Sequence, residues 1–207
     1  MCYGVLYAVI VQLNKTRFLV RFLAPILSAS ILGSVLACSD PFAAKATVAV
    51  QTDTLIAYSL TGTPPEFPSG LNTAFRSVVR VDATHNYDVA FDLDTQGQVR
   101  LIPVKLMGGL VTTARRVGVQ KATATYDALT KAPNTGYTYD SVTVIKPGDT
   151  AVLEVTSADQ CSFSLSAVIY SKIVVDSVKS STREIFFRTT HDPNCGFRSF
   201  LPGVPKN

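Results

Sequence analysis

From Cys161 to Val175 the chain alternates. Its odd positions read Cys161, Phe163, Leu165, Ala167, Ile169, Ser171, Ile173 and Val175, while Ser162, Ser164 and Ser166 begin the even series. Successive side chains on a strand point to opposite faces, so a period of two sorts apolar from polar groups only in extended backbone. Tyr87 to Leu93 repeats the rule. Tyr87, Val89, Phe91 and Leu93 are large and apolar, and Asp88, Ala90 and Asp92 lie between them. This pattern predicts half-buried antiparallel strands, with Asp88 and Asp92 on a wet face.

The intervening sequence supplies further strands and the turns that join them. Ala46, Val48 and Val50 start a strand that Asp53-Thr54 interrupts before Leu55–Leu60 continues it. Gly62, Pro64, Pro65, Pro68 and Gly70 mark a long surface loop, and Ser77–Asp82 a strand. Asp94-Thr95-Gln96-Gly97 turns the chain so that Gln98–Val104 returns as a hairpin partner of the Tyr87–Leu93 strand. Gly108-Gly109 is a break. Arg115–Gln120 is a strand with Val117 and Val119 inward, and Thr125–Lys131 is one or two helical turns. Tyr137–Ile145 is a strand whose apolar phase shifts after Asp140, as at a bulge. Lys146-Pro147-Gly148-Asp149 turns into a strand with Ala151, Leu153 and Val155 on one face. The long strand after Cys161 pairs with Arg183–Thr190 across Lys179-Ser180-Ser181-Thr182. About ten short strands without helical crossovers predict an all-β, antiparallel β-sandwich, Greek-key or jelly-roll in kind. Irregular spacings and the Pro-rich loop fit it better than an even up-and-down barrel.

Ahead of this domain, residues 18–37 are almost wholly apolar, with Lys15, Arg17 and Arg21 at their start and no acidic residue before Asp40. A basic region, an apolar region and a small-residue cleavage site make a secretory signal peptide. Its end, Val35-Leu36-Ala37-Cys38, resembles the lipobox of bacterial lipoproteins. Leu36 is bulkier than the residue usual at its position. The resemblance implies diacylglyceryl transfer to the Cys38 thiol, cleavage before Cys38 and acylation of the new amine. Ser39, where a retained lipoprotein carries Asp, implies the outer membrane of a Gram-negative cell. The same stretch also fits an uncleaved anchor, since about 20 apolar residues span a bilayer, or plain secretion. Cys2–Leu13 is a second apolar run, and a start near Val9, Val11 or Leu13 would give a compact basic region. The expected organisation is a signal helix over residues 1–37, a tether over 38–45 and one sandwich domain over 46–207.

Removing residues 1–37 changes the charge argument. The chain has 19 basic and 15 acidic residues, and three of the basic ones lie in the leader, so the remainder is nearly neutral. Such a domain lacks the basic footprint of a nucleic-acid binder. About 170 residues bury roughly 70% of their unfolded surface without outside help. Of the four cysteines, Cys2 is discarded and Cys38 takes the lipid; Cys161 and Cys195, outside the cytoplasm, are expected to form a disulfide. Asp192-Pro193-Asn194-Cys195-Gly196-Phe197-Arg198-Ser199-Phe200-Leu201-Pro202-Gly203 resembles the C-terminal signature of uncharacterised predicted lipoproteins from environmental bacteria. The Tyr87–Leu93 and Lys172–Val178 stretches look similar too, and the family implies no activity.

The chemical motifs are weak. Asp92-Leu93-Asp94-Thr95-Gln96-Gly97 mimics part of a calcium loop, but the twelfth position is Pro103 rather than a bidentate Glu, so it reads as a hairpin turn. His191 and Asp192 flank a cysteine expected to be bridged, which removes the free thiolate a Cys–His nucleophile needs. His85 belongs to a solvated turn, and two histidines so placed argue against zinc. No nucleophile elbow, SxxK or phosphate-cradling glycine pattern is present. Glu66, Glu154 and Glu184 are the only glutamates, few for paired-carboxylate glycosidase chemistry. There is no Trp to stack on sugars; Tyr126, Tyr137 and Tyr139 offer a shallow platform or, more simply, packing. Arg115 and Arg116 fall on opposite strand faces and form no basic patch. The sequence thus predicts no catalytic residues, no metal and no cofactor. It predicts a module held to the membrane through Cys38, binding an envelope protein or glycan, with an envelope hydrolase assembled only in three dimensions as the alternative.

Overall fold

A computed structural model of the chain describes residues 44–206, apart from 111–114, 157–159, 162–163 and 165. The leader, Cys38, the tether up to residue 43, and the alternation positions Phe163 and Leu165 lie outside the described residues. Among the described residues, ten strands form two antiparallel sheets of five. They are β1 (Gln51–Tyr58), β2 (Gly70–Asn72), β3 (Ser77–Val79), β4 (Val89–Leu93), β5 (Val99–Pro103), β6 (Arg116–Lys121), β7 (Thr143–Ile145), β8 (Thr150–Thr156), β9 (Val168–Lys179) and β10 (Glu184–Asp192). One sheet runs β1-β10-β9-β8-β6 and the other β3-β2-β4-β5-β7. The chain passes between sheets after β1, β5, β6 and β7, and the first strand lies beside the last. This is the all-β sandwich that the alternation predicts.

The odd-numbered residues of the two alternating stretches face each other across the core. Phe91 of β4 meets Phe187 of β10 at a ring-centroid distance of 4.8 Å. Leu71, Val89 and Leu101 from one sheet pack with Val119, Leu153, Ile173 and Ile185 from the other, all buried in one cluster. Each such side chain contributes about 1.5–3 kcal/mol relative to exposure, which is ample to hold the sheets together.

The even face of the Tyr87–Leu93 stretch is not wet. Asp88 and Asp92 are both buried. Asp88 accepts hydrogen bonds from Arg115 Nη1 (2.8 Å), Thr73 N (2.7 Å) and Thr73 Oγ1 (2.5 Å). Asp92 accepts from Ser59 Oγ (2.7 Å), Thr61 N (2.9 Å), Thr61 Oγ1 (3.1 Å) and Arg100 Nη1 (3.2 Å). A buried carboxylate survives only when paired and hydrogen-bonded; Thr73 and Arg100 come from the acids' own sheet, while Ser59 and Thr61, which follow β1, and Arg115 come from the other. Arg115 leads into β6 of the opposite sheet. Arg183, from the β9–β10 turn of that sheet, donates to Ser59 Oγ (2.9 Å). Burial pushes the Asp92 carboxyl upward, but the bonds from Ser59 and Thr61 outweigh it and hold it below the usual carboxylate range. The two acids therefore pin one sheet to the other.

Other boundaries shift for local reasons. The first strand begins at Gln51 rather than Ala46 and runs straight through Asp53-Thr54. Arg76 Nη1 lies 3.3 Å from Asp53, so the acid needs no break in the strand. Tyr137–Ile145 is not one bulged strand. Thr138 bridges to Val119 of β6, whereas Thr143–Ile145 pairs with β5 of the other sheet. The phase shift after Asp140 is thus the crossing between sheets. The bulge lies instead in the β9–β10 ladder, at Phe186/Phe187. Thr125–Lys131 makes a single turn, closed by Leu129 N donating to Thr125 O (3.0 Å), and not a helix. Gly70–Asn72 is a strand inside the expected Pro-rich loop, since Pro68 and Gly70 carry loop signals that pairing with β3 and β4 overrides. Among the described residues no helix is long and apolar enough to cross a membrane.

Candidate functional site

The outer face of the β1-β10-β9-β8-β6 sheet carries apolar groups at Val152 and Tyr170, and two segments fold over it. One is the β6–β7 connection and the other the chain after β10. They clasp each other: Ala132 N donates to Arg198 O and Phe200 N to Thr130 O, both at 2.8 Å. Ala132 and Phe200 complete a second apolar cluster with Val152 and Tyr170, against which Leu129 and Tyr137 pack. Lys172 of β9 is buried beneath them. Its Nζ donates to Tyr126 O (2.5 Å) and Leu129 O (3.0 Å) and sits 4.2 Å from the Tyr126 ring centroid. Burial lowers the lysine pKa, while these carbonyls and rings keep the group anchored. Its role is to hold the turn at Tyr126–Leu129 on the sheet.

Cys161 and Cys195 form a disulfide, with Cα atoms 5.7 Å apart. It ties the chain leaving β10 to the approach to β9. Asn194 fastens the same segment to the start of the domain. Its Oδ1 accepts from Thr47 N (2.9 Å) and Val48 N (3.0 Å), and its Nδ2 donates to Val48 O (2.8 Å). Val50 bridges Gly203.

Between the clasped segments lies a groove of about 360 Å³. Its walls carry Lys131, Arg198 and Lys206, with Thr130, Ser199 and Leu201, and no acidic residue. Arg198 Nη1 donates to Ala132 O (3.2 Å), which fixes the guanidinium on the wall. Among the described residues no carboxylate lies within salt-bridge distance of these three cations. Most of the groove is built from the Asp192–Gly203 stretch singled out in the sequence. Arg198 and Lys206 are close in the chain, whereas Lys131 is far from both, and the clasp brings it to them.

The residues considered for chemistry are otherwise engaged. Tyr126, Tyr137 and Tyr139 do not make a platform: Tyr126 is buried with its hydroxyl 2.6 Å from Thr190 Oγ1, Tyr137 donates to Pro133 O (3.0 Å), and Tyr139 donates to Glu154 beneath the Arg116 guanidinium. Tyr170 also donates to Glu154 (3.1 Å), and burial pushes its phenol up to about 12. Arg115 and Arg116 do point apart, one to Asp88 and the other to Tyr139. Asp94 Oδ1 accepts from Gln96 N and Gln98 N, both at 2.8 Å, as a hairpin turn requires, and no group of three His, Cys, Asp or Glu converges among the described residues. His85 lies in a turn on Asp82.

One Ser–His pair does form, between residues 20 positions apart that no local spacing joins. Ser171 and His191 face each other in the β9–β10 ladder, with Oγ 2.8 Å from Nδ1. They are 1% and 2% exposed, so no substrate reaches the hydroxyl. Asp192 hydrogen-bonds Asn194 N (3.0 Å) and Nδ2 (2.7 Å) rather than the imidazole. Burial depresses the His191 pKa to about 4, leaving a neutral ring in the core. The pair lacks both the orienting carboxylate and the access that a nucleophilic dyad needs. Compared with known proteins, the chain matches no family model, no curated protein and no solved structure.

Proposed function

We propose that this protein is a lipid-anchored, non-enzymatic β-sandwich module of the Gram-negative cell envelope. Its proposed station is the outer membrane, and its proposed partner an envelope protein or glycan. The observation that carries the reading is the apolar leader ending in Val35-Leu36-Ala37-Cys38, with its resemblance to the lipobox. Several features support it. A disulfide between Cys161 and Cys195 belongs to an oxidising compartment. The buried ionisable groups Asp88, Asp92, Lys172 and His191 all serve packing or hydrogen bonding. The groove is open and cationic, which suits binding better than chemistry. One acyl chain gives marginal membrane residence and two signals give stable anchoring, so triacylation at Cys38 holds the domain at the bilayer.

Metabolic labelling with a clickable fatty acid, followed by cell fractionation, tests the reading. The expected result is label on the wild-type protein in the outer-membrane fraction and none on Cys38→Ser. Unlabelled wild-type protein recovered in the medium or the periplasmic fraction overturns it. Pull-down from detergent-solubilised envelopes then identifies the partner.

A further inference from the structure

We infer that the groove lined by Lys131, Arg198 and Lys206 docks on phosphate-bearing lipid headgroups of the bilayer that holds the anchor. The inference rests on the proposed lipidation of Cys38 and adds to it a fixed orientation of the domain. Three observations lead to it.

The first is charge. The groove gathers three cations and no acid in a domain that is otherwise nearly neutral. Arg198 spends one nitrogen on Ala132 O, and among the described residues its other guanidinium donors, and the ammonium groups of Lys131 and Lys206, have no hydrogen-bond partner. A phosphate monoester or diester is the matching acceptor.

The second is position. Residues 47 and 48 are hydrogen-bonded to Asn194, and Val50 to Gly203, so the chain enters the domain beside the segment that forms the groove. Cys38 and Ala44 are only six residue steps apart, and an extended chain spans at most about 3.6 Å per residue. The lipidated end of the tether is therefore confined to roughly 20 Å from Ala44. The anchored chain therefore enters the domain beside the groove, within a short tether's reach.

The third is the surface around the groove. Val48, Leu201 and Val204 are among the few large apolar side chains left exposed, and all three lie on the segments joined at the Val50–Gly203 bridge or lining the groove. Apolar tips among cations suit a headgroup boundary, where the former sink and the latter meet phosphate. A soluble anion would make use of the cations but not of these side chains, which favours the lipid source.

The test uses the full native chain, purified in detergent and reconstituted into vesicles of phosphatidylcholine alone or with added phosphatidylglycerol. Amide hydrogen exchange over residues 196–206 is the readout. The inference expects slower exchange on the anionic vesicles, reversed by high salt. A cation near a charged bilayer strengthens binding by about fivefold, so Lys131→Gln and Lys206→Gln should each lower the protection ratio about that much. Both lysines are exposed, so neither change threatens folding, and unchanged exchange in β8 and β9 confirms this. Equal exchange on both vesicle types, for protein whose N-terminal peptide carries its acyl chains, overturns the docking inference and leaves the anchoring reading intact. Unacylated native protein overturns the anchoring reading, and the inference with it. Protection reproduced by inorganic phosphate on neutral vesicles assigns the groove to a soluble anion and also overturns the inference.

Discussion

Asp88 and Arg115 provide the most exacting test of how the sheets are joined. Asp88 is fully buried, and the Arg115 side chain is only 8% exposed, with Nη1 at 2.8 Å from the carboxylate. Removing one member of a buried pair strands the other's charge and costs about 3–5 kcal/mol. Asp88→Asn keeps the shape and leaves Arg115 unpaired; Arg115→Met keeps the stem volume and leaves Asp88 with only the two Thr73 donors. Each should therefore lower stability by about 3 kcal/mol or more, out of a typical total of about 5–15 kcal/mol. For a chain of this size that corresponds to a drop in Tm on the order of 10 °C. The double variant removes both charges, so its loss should be smaller than the sum of the singles by about 1–3 kcal/mol. Urea unfolding followed by circular dichroism gives all four corners of the cycle. Single variants within about 1 kcal/mol of wild type, or strictly additive losses, would refute the claim that this pair pins the two sheets.

Three further outcomes follow from the same structure. Replacing Cys161 and Cys195 by Ala opens a loop of sequence separation 34 and should cost about 3–4 kcal/mol on chain-entropy grounds; an unchanged urea midpoint contradicts it. Gly118→Ala places a Cβ 2.6 Å from the Tyr139 ring and 2.8 Å from Tyr137 Cβ. It should lose about 1–3 kcal/mol by overpacking and displace the Tyr139–Glu154 bond, visible as a change in near-ultraviolet circular dichroism. His191 titrates near 4 when folded, against 6.5 as its ordinary value. The unfolded chain binds its proton first, so its contribution is intact above about pH 6.5 and falls away as pH drops toward 4. Asp192, whose carboxyl burial raises, works in the opposite direction. His191→Gln should therefore flatten the decline in stability between pH 6.5 and 4; a decline of undiminished slope counts against the buried neutral imidazole.

The fold class was readable because alternation is a local signal. Tyr87–Leu93 and the Ile169–Val175 part of the long strand deliver their odd residues to the core as expected. What alternation does not encode is a second covering layer. The even residues Asp88 and Asp92 look solvent-facing until Arg115, Arg183, Ser59 and Thr73 arrive from distant parts of the chain. Tyr170 and Lys172 are covered for the same reason, by the clasp of residues 130–132 and 198–200. The apolar phase shift after Asp140 was visible, but a bulge and a passage between sheets produce the same one-residue offset. For the candidate site, the segment around Cys195 stood out in the sequence and Arg198 with it. Lys206 follows it closely in the chain, but Lys131 joins it only through the non-local bonds of Thr130 and Ala132, which no spacing rule anticipates.

The mass of the N-terminal peptide of the protein purified from its native envelope bears most directly on the account. A peptide that begins at Cys38 and carries a diacylglyceryl group on sulfur and an acyl group on nitrogen is the predicted result. A peptide that retains Val35-Leu36-Ala37 ahead of an unmodified Cys38 thiol would contradict the anchoring, and the membrane-facing groove along with it.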